Sequence, residues 1–94
     1  MIYILKVKEV GTTTFKQDWR LQSTDPQLKE SDKYVARAGD LFSIKSIDRN
    51  VANYGGNHWK VAFEKPLQPK EGSAKTTWFV YAPDVQELSA TVIA

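Results

Sequence analysis

His58, the only histidine in the chain, stands between Asn57 and Trp59 where a polar turn meets a β-prone run. A hydrolytic triad would pair it with Asp40 or Asp84 and with a serine such as Ser43. Nothing in their spacing marks such a triad, which is defined by geometry rather than composition. The expectation is a histidine that hydrogen-bonds a loop backbone and orders the turn. Glycoside cleavage would need two carboxyl groups, one kept protonated in an apolar pocket. Asp18, Asp25, Glu30 and Asp32 all stand in polar, turn-like contexts where a carboxylate simply ionises. Gly55-Gly56 lacks the remaining spacing of a phosphate loop or dinucleotide fingerprint, and the helix that should follow. With no cysteine, the chain has no disulfides, thiolate metal sites, iron–sulfur clusters or cysteine nucleophile. A single histidine also argues against a dedicated zinc site. The expectation is a protein that is not an enzyme and that uses no cofactor and no metal.

Aromatic side chains are the remaining currency: three Trp, four Tyr and four Phe. Tyr54, Trp59, Trp78, Phe79 and Tyr81 could line a groove of the kind that holds proline-rich peptides. Such rings equally stack on sugars or form a subunit contact. Trp59 and Trp78 fall at alternating strand positions and are expected to fill the core. Trp19, between Asp18 and Arg20, is the better exposed contact. The candidate partner-binding set is therefore Trp19, Tyr54, Phe79 and Tyr81, with Val92 and Ile93 of the C-terminal tail.

These residues must be carried by short strands. Turn signals recur at Gly11, Asp25-Pro26, Gly39-Asp40, Gly55-Gly56-Asn57, residues 66–72 and Pro83. The runs between them are rich in Val, Ile, Tyr, Phe, Trp and Thr, which suit a pleated, half-buried surface. Residues 1–10 predict a strand with Tyr3, Leu5 and Val7 on one face. Residues 41–47 predict a second, with Phe42 and Ile44 together. In residues 58–63, Trp59, Val61 and Phe63 oppose His58, Lys60 and Ala62. Residues 76–81 are apolar on both faces, as in a strand central to a barrel or half given to an interface. Residues 27–33 predict an irregular loop, and residues 64–75, with two prolines and a glycine, a long projecting one. The uncharged, β-prone tail, residues 89–94, can add as a strand to another chain or pair with its own sheet.

Composition bounds the rest. At 94 residues the chain is one domain, and 41% hydrophobic content excludes a disordered tail. Thirteen Lys and Arg against eleven Asp and Glu are scattered, not clustered as phosphate binding requires, so no nucleic-acid partner is expected. Apolar stretches fall far short of the ~20 residues that span a membrane. The N-terminus lacks the features of a signal peptide, so synthesis in the cytoplasm without export by that route is expected.

Three stretches line up in order: Arg37-Ala38-Gly39-Asp40-Leu41-Phe42-Ser43-Ile44, then Asn57-His58-Trp59-Lys60-Val61, then Thr77-Trp78-Phe79-Val80-Tyr81 ahead of Val85-Gln86-Glu87-Leu88. This order resembles the bacterial Src-homology-3-like domains. It is most similar to the cyanobacterial and cyanophage variant found with peptidoglycan hydrolases, to which Trp19-Arg20-Leu21-Gln22-Ser23, Gln27-Leu28 and Ser31-Asp32-Lys33 also correspond. The resemblance covers roughly residues 12–88. It implies an all-β fold, a small Src-homology-3-like β-barrel, here with an extra N-terminal strand and a C-terminal tail at 89–94. Two non-catalytic roles follow. One is a virion accessory protein of the capsid cement or decoration type, bridging the major capsid protein or copies of itself by hydrophobic and strand-addition contacts. The other is a cell-wall module that binds peptidoglycan or glycan beside a lytic enzyme.

Overall fold

Between its turn glycines the chain alternates β-branched, aromatic and charged residues, the period of two that a half-buried strand requires. The computed structural model describes residues 2–8 and 11–90, the side chains of Ile2 and Ala90 excepted. Within them lie β1 (Ile2–Val7), β2 (Thr12–Lys16), β3 (Lys33–Arg37), β4 (Leu41–Asp48), β5 (His58–Leu67), β6 (Lys75–Tyr81) and β7 (Val85–Ala90). All pair antiparallel in one seven-stranded sheet, in the order β3-β2-β6-β5-β4-β1-β7. Single 3₁₀ turns at Glu30–Asp32, Val51–Asn53 and Ala82–Asp84 are the only helical segments among the described residues. The all-β expectation holds.

β1 and β2 stand far apart in that order, yet Leu5 and Val7 of β1 share one core cluster with Phe15 of β2. The sheet is therefore rolled around a single interior. A corner after β3 pins the roll. Gly39 sits at φ +84°, a left-handed conformation that glycine adopts without the Cβ penalty. There Ala38 N donates to Gly11 O at 2.8 Å and Gly39 N to Val7 O at 2.8 Å, while Val7 N donates to Asp40 O at 2.9 Å. β3 and β7 remain as the sheet edges, with no ladder between them.

Bulky side chains fill the roll. Phe15 stacks on Phe63 at 5.5 Å and meets Phe42 edge-on at 5.4 Å, with Tyr34 completing the cluster. Such pairs add about 0.5–1.5 kcal/mol each beyond the area they bury. Trp78 is fully buried, and its Nε1 donates to Lys75 O at 2.7 Å, so no polar atom is stranded. Trp59 packs half-buried against the same cluster. Both tryptophans thus face inward, as their alternation predicts.

One feature departs from the sequence expectations. Residues 64–75 do not form one projecting loop, because β5 continues through Leu67 and β6 begins at Lys75. Leu67 is buried, which pulls the strand onward past Pro66. The remaining loop folds back: Gln68 Nε2 donates to Pro69 O and Gly72 O, and Lys75 Nζ to Ser31 O. The expected N-terminal strand is present as β1, which lies between β4 and β7 with Leu5 and Val7 fully buried. At the C-terminus Ser89 and Ala90 pair with Tyr3 and Ile2 in the protein's own sheet. Residues 91–94, with Val92 and Ile93, lie outside the described residues.

Candidate functional site

Lys16 closes β2 opposite Phe79 of β6, and from there residues 17–29 fold over the outer side of the sheet. Short polar turns shape this loop, through Asp25 N to Gln22 O and Leu28 N to Asp25 O, both at 2.9 Å. Buried Leu28 holds its far end down. Two side chains stitch its start to the sheet: Lys16 Nζ donates to Leu21 O and Gln17 Nε2 to Thr77 O, each at 2.7 Å. Trp19 is thereby carried onto Gly55, in the turn before β5. Gly55 lies at φ +76°, and a Cβ there would stand 2.8 Å from Trp19 Cζ3, so only glycine leaves room for the indole.

Between β2, this loop, the 55–58 turn and Tyr81 opens a cleft of about 610 Å³. Trp19 and Tyr81 give it aromatic surface. Thr12, Thr14, Gln22, Ser23 and Asn57 give it hydrogen-bonding groups, and Arg20 and Asp84 complete its rim. Arg20 is engaged by Asp18 through two 3.0 Å contacts, and this guanidinium holds the Asp18 carboxyl below the usual range.

His58 is buried in the cleft wall with its ring edge-on to Tyr81 at 5.6 Å. Its Nδ1 lies 2.6 Å from Asn57 Oδ1. An amide oxygen only accepts, so Nδ1 carries the proton and Nε2 the lone pair. Nε2 is buried with no hydrogen-bond partner among the described residues. Burial pushes the His58 pKa down and the Lys16 ammonium pushes it further, against a weaker pull upward from the Tyr54 carbonyl. The ring is therefore neutral at neutral pH. Burial likewise lowers the Lys16 pKa, with Asp18 acting against it.

The proposed triad partners do not converge on His58. Asp84 shares its cleft, but the Asp40 carboxylate accepts from Arg37 N at 2.9 Å and Ser43 lines a separate groove beside β4. Asp25 is engaged by Gln27 N at 2.8 Å and Glu30 by Lys33 at 3.1 Å. Among the described residues no three His, Asp or Glu side chains cluster as a metal site would require.

The five-ring groove also divides. Tyr54 and Phe79 pair at 5.2 Å, both half-buried, with Tyr54 Oη donating to Asp48 Oδ2 at 2.7 Å. That bond lowers the Asp48 pKa and raises that of Tyr54. Trp59 packs on the core and under Arg49, whose guanidinium lies 5.3 Å from its ring centre and pairs with Glu87. Of the named contact residues that are described, only Trp19 and Tyr81 reach the cleft, and Trp19 does so half-buried rather than free. Lys16, Asn57 and His58 were not among them. The sole signal for Lys16 is a charge placed where the strand alternation turns inward to the loop.

Comparison with known protein families, curated proteins and solved structures finds no match to this chain. Among the described residues no helix is long and apolar enough to cross a membrane.

Proposed function

We propose that the chain is a non-catalytic binding module that takes a cell-wall glycan in the cleft between residues 17–23 and the 55–58 turn. The observation that carries this is the combination of Trp19 and Tyr81 with neutral hydrogen-bonding side chains around one open cavity. Sugars present apolar C–H faces that stack on rings, and hydroxyls that pair with amide and hydroxyl side chains. The cations nearby are already engaged, Lys16 by Leu21 and Arg20 by Asp18, so a ligand held mainly by charge is less well served. The resemblance to Src-homology-3-like cell-wall modules points the same way. Insoluble peptidoglycan and its soluble fragments should retain the protein at high salt, and Trp19→Ala should abolish that retention. Retention that vanishes with salt, or that survives Trp19→Ala, would remove the glycan assignment.

A second reading rests on a different observation, the end of the β4–β5 ladder at Ile44↔Phe63, beyond which Leu41 stands 60% exposed. An exposed apolar residue beside an interrupted ladder supports a virion accessory protein that bridges neighbouring subunits by hydrophobic and strand-addition contacts. Stoichiometric copies on purified particles would support it, and their absence would sink it.

A further inference from the structure

Lys16, the last residue of β2, is 7% exposed, and His58, which lines the same cleft, is 6% exposed. An ammonium taken out of water is ordinarily set against a carboxylate, because a buried charge without a counter-charge is costly. Lys16 has no such partner. Among the described residues it makes no salt bridge, and its Nζ donates only to Leu21 O, at 2.7 Å. That carbonyl takes one of the three N–H donors of the ammonium and returns no charge.

The neighbouring acids do not make up the deficit. Asp18 is the one carboxylate that bears on Lys16, and both its oxygens are held by Arg20 at 3.0 Å. Asp84 also lines the cleft but bears on neither Lys16 nor His58. His58 is neutral, and its Nε2 is a lone pair without charge to give. One unbalanced positive charge therefore stands where β2 passes into the loop. Leu21, whose carbonyl the ammonium meets, itself lines the cavity, which places that charge at the cleft wall.

The rest of the lining is of two other kinds. Thr12, Thr14, Gln22, Ser23 and Asn57 offer uncharged hydrogen-bonding groups, and Trp19 and Tyr81 offer rings. A ligand that meets all three demands carries hydroxyls, an apolar face and one carboxylate. An inorganic anion would leave the rings unused, and a neutral sugar would leave Lys16 unpaired. We propose that the cleft selects an acidic sugar, whose carboxylate pairs with Lys16 while its hydroxyls and apolar face meet the surrounding side chains and rings. This deepens the glycan reading and rests on it. Rings and hydroxyls hold the ligand, and Lys16 decides between an acidic sugar and a neutral one. A pair formed out of water is screened little by salt, in keeping with retention at high salt.

Calorimetric titration tests this with two probes: the peptide-free disaccharide of peptidoglycan, which carries a free lactyl carboxylate, and its methyl ester. The acid should bind the whole protein at least tenfold more tightly than the ester, and Lys16→Met should bring the two to equal affinity. A second readout needs no altered chain. The Lys16 charge holds the His58 pKa down, so a carboxylate bound at Lys16 should raise it in a proton-NMR titration, whereas the ester should leave it in place. Equal affinity for acid and ester, binding of neither, a preference that survives Lys16→Met, or a His58 titration unmoved by saturating acid would each overturn the proposal. Retention on whole peptidoglycan is read separately. Retention without a preference for the acid sinks this inference alone, and loss of retention sinks the glycan reading with it.

Discussion

Gly55 and Gly56 are neighbours with the same backbone demand, φ +76° and +83°, and opposite surroundings. An added Cβ at Gly56 meets nothing within 4 Å, whereas at Gly55 it lies 2.8 Å from Trp19 Cζ3 and 3.0 Å from Cε3. Alanine at either site forces an L-residue into the left-handed region, costing roughly 1–2 kcal/mol. In a domain of this size each kcal/mol lowers Tm by about 4–8 °C. The two variants should therefore lose a similar amount of stability, because an indole edge can swing away where backbone could not. They should differ in the cleft. Carbon atoms rest at about 3.5–4.0 Å, so Gly55→Ala must drive the Trp19 ring back by about 0.7 Å or more. The Trp19 indole N–H resonance should shift in Gly55→Ala and stay in place in Gly56→Ala, and glycan retention should fall only in the former. Any stability lost by Gly55→Ala beyond Gly56→Ala should disappear in a Trp19→Ala background, as a coupled pair requires. An unmoved Trp19 resonance with undiminished retention in Gly55→Ala would refute the packing of Trp19 on Gly55 as the basis of the cleft.

As the single histidine, His58 gives a clean proton-NMR titration, which should place its pKa below 6.5 and move it upward in Lys16→Met. The unfolded chain then binds the proton first as pH falls, so stability should drop from about pH 6.5 down to the folded pKa, and His58→Gln should flatten that slope in urea titrations across pH. Asp18 and Asp48, both held low by hydrogen bonds, contribute stability above their ordinary pKa of 3.8 that is lost at more acid pH, a loss that Tyr54→Phe should lessen. Phe15→Ala removes a fully buried ring from the centre of the aromatic cluster and should cost about 3–5 kcal/mol in chemical denaturation, with loss of near-ultraviolet circular dichroism.

The strands most legible in the sequence are those whose alternation coincides with full burial. Val61 and Phe63 in β5, and Trp78 and Val80 in β6, are interior on a period of two, and the buried residues match it. β2 and β3 escaped because each has one fully buried apolar residue, Phe15 or Ala36, and the other buried positions of β2 are the polar Thr13 and Lys16. Residues 64–67 read as a loop because glutamate, lysine and proline carry no strand pattern. What holds them in β5 is Leu67, whose burial depends on the rolled sheet and not on its neighbours in sequence. The charged flanks of Trp19 suggest an exposed contact, whereas the structure holds it half-buried on Gly55, which no sequence pattern marks. Gly55 looks in sequence like an incomplete phosphate loop, and its use is to leave a Cβ-sized space for an indole brought from residues 17–29.

The cleft and the groove are openings of different physical origin. At the cleft, the loop between β2 and β3 is drawn over the sheet by specific polar bonds, Lys16 to Leu21 and Gln17 to Thr77, so the surface it shapes is polar with rings at its edge. At the groove, the β4–β5 ladder ends at Ile44↔Phe63 while β5 bulges against β6, and what is uncovered is the margin of the core itself, Phe42 and Phe63. The first presents hydrogen-bonding groups beside rings, and the second presents apolar side chains. One small domain thus holds two unlike surfaces without either drawing on the residues of the other.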